Sequence, residues 1–342
     1  MTKYTFTVFR GSTTGKIVQD RITRPLNPDE VLINITHGSL CGTDEIYLHS
    51  SQVLGHEGVG LVKELGSDVS SVKIGDRVGL TYIQKVCNKC KNCTSGWEQY
   101  CPHSQPYGRS DPDLGSLGTE VVWNANALVP IPENYGSLDA AAMMCSGATA
   151  WTVLSRYGIR PGQRVGVIGV GGMGHLAIKL SAALGYHTVA FSRSDSKKKD
   201  CLAFGAKEFY ILKQHTPANG SSGSADVVRE SMQPIDHLLL CSSAVEDYGT
   251  LMPLMATHGT IYPLTVSLDA TPVPLLAMLD NGISIQGSLT GSRDSIAKLL
   301  GFSAKHGIVP TTECFPLNQS GVQSAFHALT KGGVRYKAVL MT

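Results

Sequence analysis

The sequence contains no long hydrophobic run. No stretch reaches about 18 consecutive apolar residues, the length that a membrane-spanning helix needs. The first residues, MTKYTFTVFRGS, also lack the apolar core and the small-residue cleavage site of a secretory signal. We therefore expect a cytoplasmic protein without membrane contacts, in a compartment that keeps thiols reduced.

The sequence also has little excess of one sign of charge over the other. The 29 basic and 27 acidic side chains give a net charge of +2, which predicts no nucleic-acid partner and no anionic membrane partner. We expect the ligand to be a small molecule. With 342 residues, of which 42% are hydrophobic, the chain is long enough for two globular domains.

Cysteine is sparse, with nine in the chain, yet four of the nine lie within VCNKCKNCTSGWEQYC (86–101). An odd total in a reducing compartment disfavours a disulfide framework, and chance rarely produces this spacing. Four thiolates suit a tetrahedral zinc ion with no open position, which is a structural site. The predicted ligands, in an exposed lobe at 85–103, are Cys87, Cys90, Cys93 and Cys101.

Short apolar runs follow two different patterns along the chain. The first 140 residues are β-rich, and Val31, Ile33 and Ile35 alternate as in a half-buried strand. From about 145 to 287, apolar runs alternate with helical stretches, which predicts a doubly wound parallel sheet. Its predicted strands are 164–169, 187–192, 208–212, 235–241, 259–264 and 283–287. Residues 216–226 are predicted to form a surface loop.

The segment GVGGMG (169–174) follows one of these predicted strands and opens a helix, as in a dinucleotide-binding turn. Gly169 makes the tight turn, Gly171 lets the backbone approach a pyrophosphate, and Gly174 allows close packing of helix on strand. Gly172 and Met173 complete the predicted cofactor contact at the positive end of the helix. An ordinary strand–helix turn is the alternative.

The next predicted strand ends in AFSRSDSKKK (190–199), where a site for NAD usually has an acidic residue. Arg193 occupies that place, beside Ser192, Ser194 and Lys197, and such groups suit the 2′-phosphate of NADP(H). Asp195 supports the competing interpretation that NAD binds. A solvated basic start to the next helix is a further alternative.

Three more segments supply a second set of metal ligands: CGTDE (41–45), GHEGVG (55–60) and MMCSGAT (143–149). Cys41, His56 and Cys145 together are two thiolates and one imidazole, the ligands of a catalytic zinc with an open fourth position. Taken singly, each of these residues has an ordinary explanation as part of the core.

The segments CGTD, GHEGVG, C-x2-C-x2-C-x7-C, GVGGMG and GGVRYKAVL (332–340) occur in an order that resembles the zinc-containing medium-chain alcohol dehydrogenases, especially the cinnamyl-alcohol-dehydrogenase-like branch. The resemblance implies an α/β protein. A GroES-like β-rich catalytic domain would comprise 1–144 and 288–342, and a Rossmann domain with a doubly wound parallel sheet would comprise 145–287. It also implies two zinc ions per chain and hydride transfer between NAD(P)H and an aldehyde. We expect a homodimer.

The resemblance also implies roles for individual residues. The four clustered cysteines are similar to the family's structural ligands, and Cys41, His56 and Cys145 to its catalytic ligands. Glu57 is similar to a residue that can enter the metal shell. Thr43 matches the hydroxyl that takes the first proton. Thr149 and Arg335 match residues that contact the cofactor.

Two departures from the family pattern bear on function. Ile46 stands where the family often has a histidine that passes the proton to solvent, and His49 is the nearest substitute. Only 14 residues separate Cys41 from His56, fewer than in many relatives, which suggests a more open pocket for a bulkier substrate.

Three functions are therefore open. The leading one is an NADPH-dependent aldehyde reductase that also works as an alcohol dehydrogenase. A reductase of a conjugated C=C or C=N bond is the nearest alternative, and a non-catalytic dinucleotide-binding protein is a more distant one.

Overall fold

The computed structural model describes residues 2–212, 231–242, 247–267 and 270–342. They form two compact units: Met1–Ala148 with Thr290–Thr342 is one, and Thr149–Leu289 is the other. The predicted loop at 216–226 lies outside the described residues. Within the described ranges, no helix combines the length and the apolar character needed to cross a membrane.

The first unit is built mainly from antiparallel strands. Its strands are β1 (Lys3–Arg10), β2 (Val18–Pro25), β3 (Glu30–Ser39), β4 (Glu57–Leu65), β5 (Arg77–Leu80), β6 (Ile83–Lys85), β7 (Gln105–Pro106), β8 (Glu120–Asn124), β9 (Val129–Pro130), β16 (Thr312–Pro316) and β17 (Lys337–Met341). The main sheet has the order β16-β17-β3-β4-β5-β9, and β8 also pairs with β3.

Helices of this unit are short apart from the last two. They are α1 (Gly42–Ile46), α2 (Lys91–Thr94), α3 (Ser137–Ala142), a π-helical turn (Met143–Gly147), α9 (Arg293–His306) and α10 (Gln319–Thr330). Two 3₁₀ turns, Glu98–Tyr100 and Ala125–Ala127, complete the unit.

The prediction that β3 is half-buried is wrong at one position, Leu32. Val31, Ile33 and Ile35 pack into one apolar cluster, while Leu32 packs into a second cluster with residues of β1 and β2. All four side chains are buried, whereas Asn34, on the same face as Leu32, is exposed. The alternation along β3 indicates which residues share a face, but it does not reveal that a second sheet covers Leu32.

The second unit is a parallel sheet with helices between its strands. The strands are β10 (Arg164–Ile168), β11 (His187–Ser192), β12 (Glu208–Ile211), β13 (Ile235–Leu240), β14 (Met255–Pro263) and β15 (Ser284–Ile285). The helices are α4 (Ala148–Arg156), α5 (Gly172–Ala183), α6 (Lys198–Ala203), α7 (Tyr248–Leu251) and α8 (Leu275–Asn281), with 3₁₀ turns at Asp195–Lys197 and Met252–Leu254.

The strand order in this sheet is β12-β11-β10-β13-β14-β15, and every pair is parallel. The chain therefore builds outward from β10 in one direction and from β13 in the other. A ligand crevice forms where the strand order reverses in this way, outside the carboxyl ends of β10 and β13. The GVGGMG turn follows β10 and lies at that point. The predicted doubly wound α/β fold is confirmed.

Candidate active site

Three separate segments of the first unit bring their metal-ligating groups together. Strand β3 runs antiparallel to β4, and Ser39 pairs with Glu57, so the end of one strand lies beside the start of the other. Cys41 follows β3, and His56 precedes β4. Cys145 comes from the π-helical turn. The ligand atoms of these three residues and of Glu57 all lie within 4.8 Å of one another.

The buried carboxylate of Asp44 orients this group. Its Oδ1 accepts hydrogen bonds from His56 Nδ1 at 2.9 Å and from the Gly55 amide at 3.2 Å. Its Oδ2 accepts one from the Cys41 amide at 3.0 Å. Burial lowers the pKa of His56, but the charge and hydrogen bond of Asp44, together with the neighbouring Cys41, raise that pKa well above its usual value. Asp44 thus fixes the imidazole with Nε2 directed at the two cysteines.

The donor set fits a zinc ion. His56 Nε2 is fully buried and makes no hydrogen bond with the described residues, so this nitrogen is available to a metal ion. A hydrogen bond between the two sulfur atoms lowers the pKa of Cys41 and raises that of Cys145. Two soft sulfur ligands and one imidazole are a typical set for zinc.

Glu57 is held by other partners. Its Oε1 accepts hydrogen bonds from the Ser146 amide and hydroxyl, both at 3.2 Å. Its Oε2 forms an ion pair with Lys337, and both side chains are buried. The Lys337 ammonium also donates to the Leu40 carbonyl at 2.6 Å. Burial raises the pKa of Glu57, and the charge of Lys337 opposes that rise.

The four clustered cysteines converge in the same way. Their sulfur atoms are separated by 3.5 Å (Cys90–Cys93 and Cys87–Cys101) and 4.0 Å (Cys87–Cys93). A zinc ion with Zn–S bonds of about 2.3 Å separates its tetrahedral ligands by about 3.8 Å. None of the nine cysteines, all of which the structure describes, forms a disulfide. Backbone amides of Lys89 and Cys90 lower the pKa of Cys87 to about 6, which favours the ligating thiolate.

The glycines of the GVGGMG turn serve different steric needs. Gly169 has φ +88°, and a Cβ there would lie 2.5 Å from the Ser242 backbone. A Cβ on Gly174 would lie 1.9 Å from the Gly169 carbonyl oxygen. Gly171 faces open space, where a ligand can approach the backbone at the start of α5. Gly172 and Met173 form the first turn of that helix.

The residues after β11 present an exposed basic group. Arg193 is exposed and makes no hydrogen bond with the described residues, while Ser194 bonds to Ser196 at 2.9 Å. Lys197 reaches back and donates to the Val170 carbonyl at 2.6 Å, so its ammonium lies at the glycine turn. Ser192 is the last residue of β11.

Both family models and curated proteins match this chain. Residues 27–133 match the family model of the alcohol dehydrogenase GroES-like domain, and residues 172–305 match that of the zinc-binding dehydrogenases. Dehydroprecondylocarpine acetate synthase of Catharanthus roseus is 30% identical over 350 residues, which cover 95% of this chain and 93% of that protein. NADP-dependent alcohol dehydrogenase C 1 of Mycolicibacterium smegmatis is 29% identical over 350 residues, with 97% and 96% covered.

Among solved structures, a cinnamyl alcohol dehydrogenase from Sorghum bicolor is 25% identical and superposes with a TM-score of 0.89. The match covers 99% of this chain and 98% of that one. This chain belongs to the zinc-containing medium-chain alcohol dehydrogenase family. The predicted resemblance to the cinnamyl-alcohol-dehydrogenase-like branch is confirmed. The same matches confirm the GroES-like and Rossmann architecture and show that the protein is an oxidoreductase. Membership also supports binding of zinc and of a nicotinamide cofactor.

The dehydrogenase departs from the family pattern along the predicted proton path from Thr43 to solvent. The Thr43 hydroxyl lies 3.8 Å from Cys41 Sγ, which places it at the ligand group. Ile46 is 47% exposed, and its hydrocarbon side chain has no group that can accept or release a proton. His49 is exposed, its ring packs over Gly15, and its nitrogens make no hydrogen bond with the described residues. In the described part of the chain, no hydrogen bond joins His49 to Thr43.

Two further residues of the dehydrogenase, Thr149 and Arg335, are predicted to contact the cofactor, and these roles remain predictions. Thr149 is buried in α4. Arg335 is exposed, and its amide donates to Glu313 at 2.8 Å.

Sequence analysis missed three residues that shape this site: Asp44, Lys337 and Tyr107. Asp44 could have been found from the local sequence. In a C-x-x-D segment at the start of a helix, the aspartate carboxylate can accept a hydrogen bond from the cysteine amide, as it does here. Lys337 is a lone charge in the apolar strand β17. Tyr107 lies with its ring 4.9 Å from that of His56, and burial raises its pKa. No sequence pattern that we recognise indicates Tyr107.

Proposed function

We propose that this dehydrogenase transfers hydride between NADPH and an aldehyde, with zinc bound by Cys41, His56 and Cys145. The observation that supports the proposal most strongly is the convergence of these ligands around the unpartnered Nε2 of His56. When bound, zinc polarises the carbonyl oxygen and NADPH supplies the hydride. We also propose a second, structural zinc at Cys87, Cys90, Cys93 and Cys101.

The residues of the chain have separate tasks in this reaction. Asp44 holds the imidazole in the tautomer that offers Nε2 to the metal. The Thr43 hydroxyl exchanges the proton of the alcohol product. Lys337 and Ser146 hold the Glu57 carboxylate beside the other ligand groups. Substrate would bind zinc at a position that the three ligands leave open.

Replacing His56 with alanine tests the site. We expect elemental analysis to give about two zinc ions per wild-type chain and about one in the variant, because one of the two ligand sets loses a member. Aldehyde reduction should be lost, while NADPH binding should stay near normal, since all its proposed contacts except Arg335 lie in the Rossmann unit. A variant that keeps both metals and full activity would contradict the proposed site.

The choice of NADPH is assigned to Arg193, with Ser192, Ser194 and Lys197 as further contacts. A charge-assisted hydrogen bond contributes about 1.5–3 kcal/mol, so Arg193→Ala should raise the KM for NADPH by roughly ten- to a hundredfold. NADH kinetics should change much less. Lys199→Ala, an exposed neighbour outside the proposed contact, is the matched control. Equal wild-type kcat/KM values for NADPH and NADH would contradict the assignment.

A second candidate function is reduction of a conjugated C=C or C=N bond with the same cofactor. Two observations favour it: the proton path beyond Thr43 lacks its usual histidine at Ile46, and a relative with 30% identity is named a synthase. The non-catalytic alternative is disfavoured because both relatives described above are named as enzymes.

A further inference from the structure

Arg293 connects two parts of the first unit that lie far apart in sequence. Its backbone amide and Nε donate to Glu98 Oε1 at 2.7 and 2.9 Å, and its Nη2 donates to Glu98 Oε2 at 2.8 Å. The same Nη2 donates to Asn88 Oδ1 at 2.7 Å. Because Glu98 is buried, this charge-assisted contact is well shielded from water.

Both acceptors belong to the tetracysteine lobe, residues 85–103. Asn88 lies between the first two cysteines, in the left-handed region at φ +56°. Glu98 opens the 3₁₀ turn that leads to the fourth cysteine, and the Cys101 amide donates to the Glu98 carbonyl at 2.9 Å. The folding of the lobe around its sulfur ligands therefore sets the positions of both groups that bind Arg293.

At its other side, Arg293 is the first residue of helix α9. Ser292 caps this helix by accepting a hydrogen bond from the Ser295 amide at 3.2 Å. The Glu98 carboxylate lies at the positive end of the helix dipole, where an anion is stabilising. The lobe thus fixes the start of α9. The far end is fixed separately, because the Tyr135 hydroxyl donates to the Ile308 carbonyl at 2.8 Å.

Helix α9 in turn packs against the π-helical turn that carries Cys145. Leu299 is fully buried, and a Cβ on Gly147 would lie only 3.4 Å from its Cδ2. Gly147 is two residues from Cys145. A shift of α9 therefore presses directly on the turn that places this sulfur.

We propose that Arg293 is a positioning residue through which the tetracysteine lobe holds Cys145 in the catalytic ligand set. This inference rests on the proposed function, since it assigns Cys145 to zinc. Arg293 touches no ligand of that site. Its loss should nevertheless weaken the metal there, as loss of groups that orient metal ligands commonly does.

The test is zinc release from Arg293→Met to a colorimetric chelator, together with hydrogen exchange of the peptide containing 143–147. We expect release from the Cys41–His56–Cys145 site, identified with His56→Ala, to be about tenfold faster or more. Exchange at 143–147 should also be faster. Lys298→Met is the matched control, because Lys298 lies on the same helix in an exposed ion pair with Asp294. Glu98→Gln should act like Arg293→Met, and the double variant should add little.

Equal release and exchange in Arg293→Met and Lys298→Met would overturn the inference. So would a change confined to the lobe, with 143–147 unaffected. If Arg293→Met does not fold, Glu98→Gln provides the same comparison. A wild-type protein that holds zinc only in the lobe would contradict the proposed function, and the exchange at 143–147 would still decide whether Arg293 positions the Cys145 turn.

Discussion

Replacing Lys337 with methionine is expected to lower the free energy of unfolding by about 3–5 kcal/mol. The substitution leaves the Glu57 carboxylate buried without its cation, and it removes the donor to the Leu40 carbonyl. Burial lowers the pKa of Lys337, but the charge of Glu57, together with Cys41, Cys145 and the hydrogen bond to Glu57, raises that pKa. Urea unfolding of the zinc-loaded protein measures the loss.

The double variant Glu57→Gln/Lys337→Met separates the charge from the packing. It should recover a large part of the lost stability, because a neutral amide needs no buried counter-ion. Lys85→Met is the control: Lys85 pairs with Asp29 at 3.0 Å, but both side chains are over 40% exposed, so its loss should cost about 0–1 kcal/mol. If Lys337→Met were no more damaging than Lys85→Met, the buried pair would not have the proposed importance.

Thr43→Val should lower kcat for aldehyde reduction by about 10²–10⁴-fold, the usual effect of losing a positioned acid–base group. Its hydroxyl lies 3.8 Å from Cys41 Sγ, and Ile46 cannot replace it. Single-turnover measurement with saturating NADPH isolates the chemical step. The KM for NADPH should change little.

Two companion variants define the proton path. Thr43→Ser keeps the hydroxyl and should keep most of the activity, whereas a loss equal to that of Thr43→Val would show that the methyl group matters instead. His49→Ala tests the substitute predicted from sequence. A modest loss that small buffer acids rescue would support His49. No loss would indicate another path, in line with the absence of a hydrogen bond between His49 and Thr43 in the described structure.

The parallel sheet and the tetracysteine set could be predicted from sequence because each has a short-range signature. Strands of the second unit are continuous apolar runs, and cysteine spacing in the lobe is local. The set of Cys41, His56 and Cys145 is spread along the chain, and its prediction needed three motifs in the order of a known family.

The features that could not be predicted depend on long-range packing. Lys337 meets Glu57 across 280 residues and Arg293 meets Glu98 across 195, and no periodicity encodes either pair. The burial of Leu32 on the other face of β3 was missed for the same reason.

The path of the hydride gives the most direct test of the proposed function. The enzyme would be given an α,β-unsaturated aldehyde and NADPH deuterated at the transferable position, and the product would be analysed by NMR. We expect an unsaturated alcohol with deuterium on the carbinol carbon, and no such product from His56→Ala. Deuterium on the β-carbon of a saturated aldehyde would contradict carbonyl reduction and favour the reductase of conjugated bonds.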